Sequence, residues 1–469
     1  MALSRSARRT SRWLALATAV ASAATIAAAP AATPGAPGAG DPYFPELGNG
    51  GFDALHYDLG VSYHPDSGRL DGRTTLTARA TQNLSAFDLD LQKLTVDSVR
   101  VNGRRAHFAR SGDEITVHPS FPLRRGGKFT VTVAYHGVPK PLSGPIVFGS
   151  DYGWMKTKDG VFVACEPNAA STWFPSSDHP GDKATYDIRI DAPKGLTGVS
   201  NGRLIASGEA HGRSYAHWRE SRPMATYLAT ATIGKFDVRT GTTPGGIPVY
   251  VATDPTLPTG QVDVYGITAE ATDYWSKVFG KYPFEETGAV VDDMPQAGFS
   301  LEVQSKPVYS AVRSETTIVH ELAHQWFGDS VSVRQWKDIW LNEGFASYAQ
   351  WLWSEHRGTV SAHDSFRKAY DAIPADDGFW KQKIADPQRD TMFSAAVYRR
   401  GAMTLQALRE RIGDTAFFQL LPAWTAAHRY GNADTAQFVA LAEKVSGQKL
   451  GDFFNTWLYT ESKPALSVR

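Results

Sequence analysis

The hydrophobic period of this 469-residue chain changes once, and that change limits its architecture more than any other feature. From about residue 50 to 235 the period is two. Phe87, Leu89 and Leu91 alternate with Asp88 and Asp90, and Phe129, Val131, Val133 and Tyr135 alternate with Thr130, Thr132 and Ala134. Such alternation puts apolar side chains on one face of an extended strand, and the Gly, Asp, Asn and Pro between the runs supply turns. Residues 50–240 therefore read as an N-terminal antiparallel β-sandwich domain. The Gly/Thr/Pro-rich stretch around 236–248, ending in GTTPGGIP, reads as a boundary. Beyond it Ala289-Val290-Val291 is a further strand, and then helices dominate. Phe438, Leu441, Ala442 and Val445 recur at i, i+3, i+4 and i+7 behind Asp434 as a cap. Residues 241–469 are expected to form an α+β domain with its helices mostly C-terminal. With 42% hydrophobic residues and 13 Trp, the chain has material for two such cores.

The N-terminus predicts export. Arg5, Arg8, Arg9 and Arg12 form a basic region without an acid, and an Ala-rich apolar run follows from Trp13 to about Ala29. Small residues then offer a cleavage site, so residues 1–32 read as a signal peptide and the protein as secreted. Arg8-Arg9 leaves a twin-arginine route open beside the general one. The apolar run is short and meets Pro30 and Pro34, which argues against a stable membrane span. Residues 33–49, rich in Ala, Pro and Gly at their start, are expected to be a flexible leader. Cys165 is the single cysteine, so no intrachain disulfide can form, and it reads as a buried thiol. The balance of 48 basic against 48 acidic residues gives no reason for a nucleic-acid partner. Oligomeric state has no signal, and a monomer is the default.

The chemistry is concentrated in SETTIVHELAHQWFGD. On a helix, His320 and His324 stand at i and i+4 on one face and can grip one metal ion, with Glu321 beside them. Ile318, Val319, Leu322, Ala323, Trp326 and Phe327 supply a buried flank, and Gly328 is a natural stop. Catalytic zinc takes three protein ligands and keeps a position open. Glu343 is the third, 18 residues on, in the helical segment WLNEGFASYAQ. These residue types imply one Zn2+ that activates water, with Glu321 as the general base that takes the proton. Ser347 and Asp338 are candidate hydrogen-bond partners for the ligands.

With this His-Glu-x-x-His, 18 residues, Glu pattern inside HELAHQWFGD and WLNEGFASY, the chain resembles the aminopeptidase N and leukotriene hydrolase family of zinc metallopeptidases, the gluzincins, in a short two-domain bacterial-type form. The resemblance extends over nearly the whole mature chain. It implies a thermolysin-like catalytic domain after the β-sandwich. The end of that domain resembles DFFNTWLY, so no large C-terminal helical domain is expected. Three further segments match. VACEPNAASTWFPSSDHPGDKATY aligns Glu166 with a residue that binds the substrate's free amine. AGFSLEVQ aligns Glu302 with the family's exopeptidase glutamate. AAVYRRGAMTLQAL aligns Tyr398 with the tyrosine that stabilises the tetrahedral intermediate. The implied substrates are peptides with a free N-terminus. Two carboxylates can hold one ammonium at a set distance from the metal, and a phenol can serve a developing oxyanion.

The pattern also departs from the family. Phe299, Leu301 and Val303 stand where Gly, Met and Asn are usual, Gly298 is one place out of register, Ala164 replaces a common Gln, and Arg400 replaces a Lys. These changes affect the pocket for the first side chain. Two other readings stay open from the residues: a metallopeptidase without an N-terminal requirement, and an inactive secreted binding protein on the same scaffold.

Overall fold

The computed structural model describes residues 31–466 except 148, 259 and 261, together with Met1. The expected signal peptide, 1–32, lies almost wholly outside the described residues. Among the described residues no helix is long and apolar enough to cross a membrane.

An eight-stranded sheet dominates the first region. Its order is Arg203–Ala210, Arg213–Met224, Ala184–Pro193, Phe52–His64, Arg69–Ala80, Lys128–Gly137, Thr95–Val101 and Arg104–Arg105. The alternation is realised as burial: Tyr57, Leu59, Val61 and Tyr63 point inward on one strand, and Phe129, Val131, Val133 and Tyr135 on another. A smaller sheet contains Leu84–Asp90, Glu114–His118 and His107–Ser111. Phe52 and Phe129 of the long sheet meet Phe87 of the small one, with ring centroids 5.8 and 5.2 Å from Phe87. That contact is the centre of the sandwich.

Two features of this region go beyond the sequence pattern. Asp88 and Asp90 alternate with apolar residues, yet both are buried, because a second layer covers that face. Asp90 Oδ2 accepts from Asn49 Nδ2 at 2.9 Å and from the Asp178 amide at 2.7 Å. The leader 33–49 is also packed rather than flexible. Thr33–Pro34 pairs with the Leu84–Asp90 strand. Buried Asp41 accepts from the Trp336 amide at 2.9 Å and bonds His179 Nε2 at 3.1 Å, and Tyr43 and Phe44 enter the core. Composition hid this because the anchors, Asp41 to Phe44, follow the Pro/Gly run rather than interrupt it.

A third sheet carries Val161–Ala164, buried throughout, into Cys165 and Glu166. Cys165 is a buried free thiol, as expected. The second region opens with a mixed sheet in the order Asp237–Thr242, Pro248–Thr253, Thr287–Val291, Val308–Tyr309, Ser300–Leu301. GTTPGGIP is the hairpin turn between its first two strands. The change of sheet falls between Gly234 and Asp237, at the start of the stretch around 236–248.

Helices follow: α1 Val264–Val278, α2 Glu315–Ala323, α3 Trp340–His356, α4 Ala362–Asp371, α5 Ala395–Ile412, α6 Asp414–Ala427, α7 Thr435–Ser446 and the short α8 Gly451–Phe454. Asp434 caps α7 as expected and forms a capping box with Gln437. The architecture is thus an N-terminal β-rich domain followed by an α+β domain with C-terminal helices.

Candidate metal and substrate site

Helix α2 starts at Ser314, whose hydroxyl accepts from the Thr317 amide at 3.3 Å. Ile318, Val319, Leu322 and Ala323 are buried and hold the helix down. The helix ends at Ala323, earlier than the stop expected at Gly328. The Gln325 and Trp326 amides bond the carbonyls three residues back, tightening the last turn. His324 keeps right-handed helical backbone at the end, so its four-residue relation to His320 survives. Gly328 has φ 136°, and a Cβ there would lie 3.3 Å from His324 Nδ1. Glycine is therefore required where the chain turns away from the histidine.

Glu343 lies in the first turn of α3, where free helix amides favour an anion. The Phe327 and Phe345 rings stack at 4.3 Å and join the two ligand-bearing segments. His320 Nε2 and His324 Nε2 lie 3.2 Å apart, and Glu343 Oε2 is 3.4 and 3.5 Å from them. Tetrahedral bonds of about 2.0–2.1 Å to N and O donors put donor atoms about 3.3 Å apart, so this trio has the spacing of a zinc cage. His324 Nδ1 is 3.0 Å from the Phe327 carbonyl, which can only accept. Nδ1 therefore carries hydrogen, and a neutral ring turns its Nε2 lone pair inward. Two ring nitrogens at that distance share either a proton or a metal ion, and a metal ion would serve Glu343 as well. A His2Glu donor set with inward lone pairs fits Zn2+.

The electrostatics favour positive charge at the same point. For Glu343 burial acts to raise the carboxyl, but His324 and His320 outweigh it and hold it at about 2. Burial also opposes charge on His324, yet Glu302 and Glu343 raise its pKa well above the usual range. Burial pushes Glu321 up to about 8, against the pull of His324. Burial, then the neighbouring Glu302, raises Glu166 well above the carboxylate range. Burial raises Glu302 as well. The site holds more carboxylates than cations.

Glu166, Glu302 and Glu343 each offer an oxygen within 4.8 Å of the others, and Glu302, Glu321 and His324 form a second such group. The four glutamates singled out in the sequence are thus brought together. Glu166 Oε1 and Glu302 Oε1 are buried without a hydrogen-bond partner. Tyr398, on α5, lies with its ring centroid 6.1 Å from that of His320, and both line a cavity with Glu321. Helices α3 and α5 approach through Gly344 and Gly401: a Cβ on Gly401 would sit 2.6 Å from Gly344 Cα. That contact sets Tyr398 at its distance from the ligands.

The two expected ligand partners do not serve as such. Asp338 Oδ1 accepts from the Thr435 hydroxyl at 2.6 Å and its amide at 3.2 Å, so it secures the start of α7. Ser347 lines the cavity and bonds none of the three ligands. The Phe327 carbonyl fills that role for His324, a backbone group that no sequence pattern announces. Gln325 was also missed. Its Nε2 donates to the Glu302 carbonyl at 3.0 Å and its Oε1 accepts from the Ser305 amide at 2.7 Å, which fixes the Glu302 loop. Tyr227 is buried, and its phenol faces Glu302 and Glu166. The departures also have places. Leu301 and Val303 are buried. Arg400 faces away from the site, donating to the carbonyls of Trp457, Trp380, Gln382, Thr456 and Thr460.

Known proteins share this arrangement. The Peptidase M1 N-terminal domain matches residues 53–228 and the Peptidase family M1 domain matches 297–457. Aminopeptidase N of Lactobacillus helveticus is 25% identical over 453 residues, covering 89% of this chain and 52% of that protein. Glutamyl aminopeptidase of Bos taurus is 25% identical over 461 residues, covering 88% and 47%. The chain thus spans about half the length of these relatives. Among solved structures, an M1 zinc metallopeptidase from Deinococcus radiodurans superposes with a TM-score of 0.84 at 28% identity, over 92% of this chain and 98% of that one. A mutant of that enzyme bound to a Tyr-Ser-Ala substrate gives the same TM-score.

Proposed function

Because the chain belongs to the M1 peptidase family of zinc hydrolases, we propose that it is an aminopeptidase that removes residues from the N-termini of peptides. The observation that carries this reading is the pair of orphaned oxygens, Glu166 Oε1 and Glu302 Oε1, buried beside the metal-binding trio. An unpaired buried carboxylate is costly, and an ammonium offers three donors to relieve both at once.

His320, His324 and Glu343 hold the metal in this reading. Zinc in that position supplies Lewis acidity to a scissile carbonyl and lowers the pKa of a water. Glu321 takes the proton from the attacking water and passes it to the leaving amine; burial gives its carboxyl the raised proton affinity that this exchange needs. Tyr398 donates its phenolic hydrogen to the oxygen that gains charge. Glu166 and Glu302 anchor the α-ammonium, which fixes cleavage after the first residue. Gln325 keeps the Glu302 loop at its distance from the metal helix.

The test compares a free peptide with its N-acetylated form. Turnover of the free peptide alone is expected, and equal turnover would replace the exopeptidase by an endopeptidase. Export directed by residues 1–32 belongs to the same proposal, motivated by the basic and apolar runs there. N-terminal sequencing of protein from culture medium checks it, and a start at Met1 would overturn it.

A further inference from the structure

We infer that the cleft carries a carboxylate-recognition subsite, formed by Lys368 and Arg399, for the part of the substrate downstream of the cleaved bond. This rests on the aminopeptidase reading and narrows its substrates to short peptides with a free C-terminus or an acidic residue near it.

The cavity that contains His320, Glu321 and Tyr398 has a volume of about 740 Å³. It is a trough between four helices. Helix α2 and the start of α5 form its metal end; α3 contributes positions 347, 350, 351 and 354, and the α4 segment contributes 365, 368, 369, 372 and 373. These are single helix faces by their three- and four-residue spacing, and the α4 wall runs about 12 Å. Neither Glu166 nor Glu302 lines it. A peptide whose ammonium is held by those two residues and whose first carbonyl lies at the metal must therefore send its remaining residues into this trough. Its volume sits well inside the range of small-ligand sites.

The charge of the trough is one-sided. Lys368 and Arg399 line it, both are exposed, and neither side chain has an ion pair or hydrogen bond among the described residues. Glu321 is the single acid on its wall, at the metal end. Arg357, Arg367 and Arg409 nearby are paired with Glu270, Asp371 and Glu355. Arg400 donates to backbone carbonyls, and neither it nor Arg411 lines the trough. Two free cations in a cleft raise the local concentration of anionic ligands. Arg can also bind a carboxylate through two parallel hydrogen bonds. A tripeptide ends in such a carboxylate a few residues beyond the bond to be cut. An acidic side chain at its second or third residue offers the same group.

The experiment uses zinc-loaded enzyme and three matched substrates: trialanine, its C-terminal amide, and the amide of Ala-Ala-Asp. Alanyl p-nitroanilide, which has no downstream carboxylate, reports basic competence. Trialanine is expected to exceed its amide in kcat/KM by about fivefold at low ionic strength, mostly through KM, with the ratio shrinking as salt rises. Preference for the Asp amide over trialanine amide would identify the side chain as a second source of the same group. In the Lys368→Gln/Arg399→Gln double variant the ratios should fall to near one. Calorimetric binding of trialanine and its amide to Glu321→Ala enzyme should give the same preference without turnover. Equal acid and amide values in an enzyme that cleaves the anilide, or a ratio that survives the double variant, overturn the subsite alone. Cleavage of acetylated peptides at the rate of free ones overturns the aminopeptidase reading, and the subsite with it.

Discussion

Two of the clusters of buried carboxylates in the molecule make opposite demands. In the β-rich region Asp90 and Glu114 are cross-strand neighbours. Burial raises Asp90 well above the carboxylate range, with Glu114 adding to it, and burial pushes Glu114 up to about 7. Their near neighbours are a side-chain amide, a backbone amide and Asp178, none of them a cation. Asp90 Oδ1 and Glu114 Oε2 are left without a partner, a deficit that a proton held between the two carboxyls would meet. In the catalytic region Glu343 is as deeply buried but faces two imidazoles, and it is held at about 2. That cluster is arranged for cations, a metal on one side and an ammonium on the other. A perturbed carboxylate therefore marks a candidate site without identifying one; the groups that surround it decide whether it takes a proton or a cation.

The largest test of this contrast removes the base. Glu321→Gln keeps the three donor atoms, so zinc content should be unchanged while kcat falls by about 10³-fold or more. Metal analysis beside steady-state kinetics checks it, and loss of zinc would move Glu321 into the ligand cage. Tyr398→Phe should lower kcat by about 10²-fold with little change in KM, the signature of a contact made only in the transition state. A rise in KM alone would return Tyr398 to a packing role.

The catalytic cluster was far more legible than its counterpart. His320 and His324 follow from i, i+4 spacing on one helix, and Glu343 from the third ligand that a catalytic zinc needs. Glu166, Glu302 and Tyr398 carry no local signal and came through resemblance to the family's segments. Gln325 escaped notice because its function is to bridge a helix end to a distant loop, a relation absent from any window of sequence. The burial of Asp88 and Asp90 is not legible for the reverse reason. Their alternation fits a half-exposed strand, and only the covering layer shows that both faces are buried. The packed leader escaped for the same cause: Asp41 gains its meaning from His179 and Trp336, more than a hundred residues away.

A smaller effect is expected at the ammonium anchor. Glu302→Gln and Glu166→Gln each remove one charge from a pair, which should cost about 10- to 100-fold in kcat/KM for free peptides. The loss should appear chiefly against free N-termini, so the free-to-acetylated ratio is the decisive readout. An unchanged ratio in both variants would make these carboxylates structural, and the contrast with the β-rich pair would fade.

The smallest effect belongs to that pair and carries its own sign. A carboxyl whose folded pKa is raised above its unfolded value keeps its proton in the native state while the unfolded chain has lost it. The stability it supplies is complete below the unfolded value, which for Glu114 is about 4.5, and is lost as pH rises to about 7. Glu114→Gln replaces the shared proton by an amide hydrogen that does not titrate. The variant should match the wild type at pH 4.5 and exceed it by about 1 kcal/mol at pH 7.5, with the difference growing between the two. Denaturant unfolding at several pH values, taken as variant minus wild type, isolates this pair from other titrating groups, including the metal ligands. A difference that does not vary with pH would mean that Asp90 and Glu114 share no proton. The β-rich cluster would then also need an external cation, and the two regions would differ in degree rather than in kind.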